Sequence, residues 1–102
     1  MDSKSTLRDI IAILKRHESE FRRKYGIKRI GVFGSIVRGD AGRESDLDLL
    51  VEFEEAVEMD LLRFVEVERQ LSEILGRKVD LVEKKVLKPF IGQHILKEVV
   101  YP

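Results

Sequence analysis

The sequence predicts a small α/β (α+β) domain in which a short sheet is covered by helices. Amphipathic stretches with apolar residues three and four apart alternate with short runs rich in β-branched side chains. Their order reads helix, strand, short helix, strand, helix, strand, helix. A chain of 102 residues suffices for one modest core, so the expected organisation is a single domain over residues 1–102.

Each element has local grounds. Leu7, Ile10, Ile11, Leu14, Phe21 and Tyr25 recur at helical spacing over residues 6–25, with Gly26 available as a stop. The run IKRIGVF at 27–33 predicts a first strand ended by Gly34, and a short helix is expected to begin at Ser35, a residue that can also cap it. A second strand is expected over 46–53, followed by the polar connection EEAVEMD. Asp60 then fits the N-cap of a long helix whose buried stripe is Leu61, Phe64, Val65, Leu71, Ile74 and Leu75, with Gly76 as its stop. VDLV at 79–82 gives a third strand. Pro89, suited to a first helical turn, opens a last helix through Ile91, Ile95, Leu96 and Val99.

Composition narrows the function. Lysine plus arginine equals aspartate plus glutamate at 19 each, which argues against a protein whose main work is coating nucleic acid, since that needs surplus cations. Cysteine is absent, which removes disulfides, thiolate metal clusters and thiol nucleophiles. No apolar stretch approaches the roughly 18 residues of a membrane helix, and MDSKSTLRDI lacks the apolar centre of a signal peptide. The expected location is the cytoplasm.

The chemistry concentrates in two stretches. Gly34 and Ser35 end the first strand, where glycine admits a ligand close to the backbone and free N–H groups at a helix start attract phosphate, although an isolated Gly-Ser equally suits an ordinary turn. In SDLDLLVEF, Asp46 and Asp48 fall on the same face of a strand, about 6–7 Å apart. Asp48 sits among Leu47, Leu49, Leu50 and Val51, where an unpaired carboxylate is costly. Asp80, between Val79 and Leu81, adds a third carboxylate if its strand is a neighbour. Such an oxygen cluster suits Mg²⁺, held by carboxylates, water and substrate phosphates; the alternative is a set of solvated or salt-bridged strand ends. Arg38 is placed either to bind a phosphate oxygen or to bridge to Asp40 or Glu44. Arg43, Lys85 and Lys88 are weaker candidates for phosphate, and His17 and His94 suit surface or boundary positions.

Phe33-Gly34-Ser35, then Asp46-Leu47-Asp48-Leu49, then Val79-Asp80-Leu81 resemble the signature of the nucleotidyltransferase superfamily that includes DNA polymerase beta. More narrowly, GSIVRG, SDLDLLVEF, LGRKVDLVEKK and ILKEVVY together are similar to the minimal nucleotidyltransferases, often paired with HEPN-domain toxins, and the likeness spans nearly the whole chain. The resemblance implies a polymerase beta palm-like core with a small mixed sheet. It implies that Gly34 and Ser35 hold nucleotide phosphates, that Asp46 and Asp48 bind metal, and that Asp80 completes the metal site and helps activate the attacking hydroxyl. It further implies two Mg²⁺ ions, ATP as substrate, and AMP transfer to a tyrosine of a HEPN toxin, so that the protein acts as antitoxin in a hetero-oligomer with it, a homodimer being the alternative for the free protein. A non-catalytic antitoxin and a transferase acting on a small molecule are the competing expectations. The short chain leaves no room for a second acceptor-binding domain, and the apolar tail Val99–Pro102 is either a docking element or an end folded back on the core.

Overall fold

The computed structural model describes residues 6–39, 46–87 and 89–102, without the side chains of Phe90 and Ile91. Helix α1 spans Leu7–Tyr25, with the Thr6 side chain accepting the Asp9 N–H and Gly26 closing it in the left-handed conformation at φ 68°. Strand β1 spans Ile27–Phe33 and helix α2 Ser35–Arg38. Strand β2 spans Leu47–Phe53, α3 spans Leu61–Leu75, and β3 spans Val79–Glu83. A 3₁₀ turn at Lys84–Val86 leads to α4, Pro89–Glu98. The predicted order therefore holds throughout.

The sheet has the order β1-β2-β3, with β1 antiparallel to β2 and β2 parallel to β3. A parallel pair needs a crossover, and α3 supplies it. Alternation along β2 explains its composition. Leu47, Leu49 and Val51 share one face with Val79, Leu81 and Val32 and pack against Ile10, Leu14, Phe21, Val67, Leu71 and Leu75 of the two long helices. Asp48, Leu50 and Glu52 take the other face, beside Asp80 and Val82. An aspartate can thus sit inside an apolar run because it points away from the helix layer.

Two details of the helices differ from expectation. The buried line of α3 is Val67, Leu71 and Leu75, with Phe64 and Ile74 packed against it, whereas Leu61 is 76% and Val65 50% exposed. Val65 is about 200° around the helix from Val67 at 100° per residue, on the side of the Glu66–Arg69–Glu73 ion pairs. The other concerns α4, which ends at Glu98, so Val99 belongs to the tail rather than to the helix, and Leu96 is exposed.

That tail folds back. Val32 and Val100 exchange backbone hydrogen bonds of 2.8 Å each, on the edge of β1 away from β2. Arg29 lies over the Tyr101 ring, 3.8 Å from its centre, and the absent side chain of Gly31 makes room for Val99 and Tyr101. At the outer edge of β3, Ser72 Oγ and Glu68 Oε2 accept the N–H groups of Val79 and Leu81, each at 3.2 Å. Gly31→Ala is expected to cost about 1–3 kcal/mol by overpacking and to loosen the tail. A thermal melt, with the Tyr101 ring followed by NMR, checks this.

Candidate active site

Three strand ends meet at one end of the sheet. Phe33 lies opposite Asp48, and Asp48 lies opposite Asp80, so the end of β1 and the starts of β2 and β3 form one row. Asp46 precedes the first residue of β2 and is exposed; the expected strand start is one residue early. Gly34 follows β1 with φ 85° and ψ −155°, a backbone conformation almost confined to glycine. A Cβ there would run into the Asp48 carboxylate, so the glycine is required twice, by backbone geometry and by the approach of Asp48. Helix α2 begins at Ser35 as expected, but its N-cap is Gly34 and not Ser35, because the chain turns one residue earlier.

Electrostatics mark Asp48 as the centre of the group. Burial, then the charges of Asp80 and Asp46, raise its carboxyl above the usual carboxylate range, with Arg38 opposing them. Asp48 therefore feels both neighbouring carboxylates. Among the described residues, however, no three acidic or histidine side chains are gathered closely enough to enclose an ion by themselves.

Arg38 sits at the end of α2, where its Nη1 donates to Glu98 Oε1 at 2.9 Å. The expected partners Asp40 and Glu44, together with Arg43 and Lys88, lie outside the described residues. Glu98 Oε2 accepts the Gly34 N–H at 2.8 Å. That amide bond first, and Arg38 second, hold the Glu98 carboxyl below its ordinary value. Glu98 is a site residue that sequence reasoning missed; it is 64 residues from Gly34, and no local pattern in ILKEVVY announces the contact. Lys85 is elsewhere, beside a cavity of about 590 Å³ lined by Phe53, Val57 and Met59 at the far end of β2. His17 Nδ1 lies 3.0 Å from the Ile13 carbonyl within α1, and His94 is exposed.

A glycine turn at the end of β1, with aspartates at the starts of β2 and then β3, leaves backbone N–H groups and carboxylates at one end of the sheet, donors and acceptors that can together take a phosphate chain and a cation. The family model for the nucleotidyltransferase domain matches residues 14–102. The chain belongs to this family. The nucleotidyltransferase is 50% identical over 96 residues to the protein adenylyltransferase MntA of Thermococcus cleftensis, covering 94% of this chain and 95% of that one. It is similar to a solved candidate minimal nucleotidyltransferase, at 35% identity and TM-score 0.70, over 89% of this chain and 93% of the other. Its fold also matches, at 20% identity and TM-score 0.58, a Shewanella oneidensis structure of a tri-AMPylated HEPN toxin with an MNT antitoxin, over 96% of this chain and 67% of that one. The nucleotidyltransferase is thus an enzyme of the transferase class with the mixed α/β architecture of its relatives.

Proposed function

We propose that this nucleotidyltransferase, acting as one domain, transfers AMP from ATP to a hydroxyl, a tyrosine by preference, of a HEPN-type toxin, and so serves as its cytoplasmic antitoxin in a complex with it. The observation that carries the reading is the row Gly34–Asp48–Asp80, which sets a close-approach backbone beside paired carboxylates. The names of its relatives, a protein adenylyltransferase and an MNT antitoxin with an AMPylated toxin, support the choice of donor and acceptor.

Gly34 and Ser35 would bind the phosphates through their backbone and the serine hydroxyl. Asp46, Asp48 and Asp80 would hold Mg²⁺. The fit rests on an all-oxygen donor set whose centre, Asp48, has its carboxyl raised by burial and then by the charges of Asp80 and Asp46, and phosphate oxygens and water would complete the ligands. When bound, the cation supplies charge neutralisation for the triphosphate and a lower pKa for the acceptor. In the reaction the toxin's hydroxyl oxygen bonds to the α-phosphorus, the bond from that phosphorus to the bridging oxygen breaks, and pyrophosphate leaves. Asp80, exposed at the rim, would orient the hydroxyl and receive its proton.

The test is intact mass spectrometry of the toxin after incubation with ATP and Mg²⁺. Wild type is expected to add about 329 Da per unit, the mass of AMP less water. Asp80→Asn is expected to add none while still binding both nucleotide and toxin. A toxin that is silenced equally by wild type and Asp80→Asn with no change in mass would make the protein a binding antitoxin instead.

A further inference from the structure

Glu98 is held from both sides. Its residue closes α4, the Val99 N–H bonds to the Ile95 carbonyl at 2.9 Å, and Val100 is fixed to Val32 two residues later. The side chain is largely covered, at 22% exposure, and each of its two oxygens takes a separate donor: the Gly34 N–H and the Arg38 guanidinium. A carboxylate gripped by one backbone amide and one guanidinium uses the same two kinds of donor that bind a phosphate oxygen. Its charge also adds to the field that opposes an anion beside Asp48.

We propose that Glu98 is an internal competitor for the nucleotide's triphosphate, occupying the Gly34 amide and Arg38 until ATP displaces it. This rests on the assignment of Gly34 to phosphate binding above. Glu98 thereby sets nucleotide affinity: if the seat is open one-tenth of the time, apparent binding is about tenfold weaker than intrinsic. Anchoring by the Val32–Val100 pairing keeps the carboxylate near its seat, so displacement requires only a side-chain swing and not loss of the tail.

The experiment is calorimetric titration of the full chain with Mg²⁺ and inorganic triphosphate, comparing wild type, Glu98→Gln and Glu98→Ala. Thermal melts establish that each is folded. Gln retains the shape of the side chain but loses its charge and replaces one of the two accepting oxygens with a donating NH2. Both variants are expected to bind triphosphate several-fold to about tenfold more tightly, and the KM for ATP is expected to fall in step. In wild type, the Gly34 amide resonance should move when triphosphate is added, as Glu98 leaves it. Equal or weaker binding by folded Glu98→Gln overturns the proposal, weaker binding identifying Glu98 as a brace for Arg38. Tighter triphosphate binding without AMP transfer to a HEPN toxin would sink the acceptor assignment and leave the competitor standing. Absence of triphosphate binding in all three proteins would sink both.

Discussion

Asp46→Asn combined with Asp48→Asn is expected to reduce AMP transfer by at least about a thousandfold, because the loss falls on charge stabilisation of the transferring phosphoryl group, worth several kcal/mol. The same variant should melt no lower than wild type in chelator. The sign follows from Asp48, whose carboxyl is raised by burial and by Asp80 and Asp46. A group that holds its proton more tightly when folded makes the native state gain stability as pH falls through the folded pKa. At neutral pH its charge is therefore a cost, which asparagine removes. Wild type in chelator should accordingly become relatively more stable on mild acidification, an increment the double variant lacks. Radiolabel transfer and calorimetry at two pH values decide the matter, and a double variant that melts far below wild type would make these aspartates structural.

Gly34→Ala is the second large effect. The backbone conformation alone costs a non-glycine residue about 1–3 kcal/mol, and the new methyl meets the Asp48 carboxylate besides. A melting temperature at least about 5 °C lower is expected, with transfer abolished because Asp48 and the turn cannot both keep their places. A double-mutant cycle separates the two causes. Adding Asp48→Ala should restore the part of the stability lost to the clash, leave the part due to φ, and restore no activity. Full additivity would mean that Gly34 and Asp48 do not touch.

Much of this site was legible because its parts obey short-range rules. The alternation in LDLLVEF places Asp48 on the face opposite Leu47 and Leu49, and the left-handed stop at Gly26 and the cap at Asp60 follow from residue type. The pairing of Asp48 with Asp80 needed one further assumption, that their strands are neighbours, which the α3 crossover fulfils. What escaped is non-local. Among the described residues Arg38 bonds Glu98, 60 residues away, because the tail brings α4 back to the start of α2. The stripe on α3 was misjudged at Leu61 and Val65 because apolar spacing does not say where a three-stranded sheet stops covering a helix.

The hydrogen-bonded margins of the sheet also constrain how this protein meets other proteins. A bare strand edge is a template on which any extended chain can crystallise, and native proteins guard against that. Here Val100 fills a position on one margin, while side chains of α3 satisfy the outward amides of Val79 and Leu81 on the other. Neither margin offers a continuous main-chain ladder among the described residues. Fibrillar stacking is therefore discouraged in a chain rich in valine and leucine, and a protein docking on this one would have to recognise side chains and shape, so that selectivity would be written in residues which can diverge without disturbing the sheet.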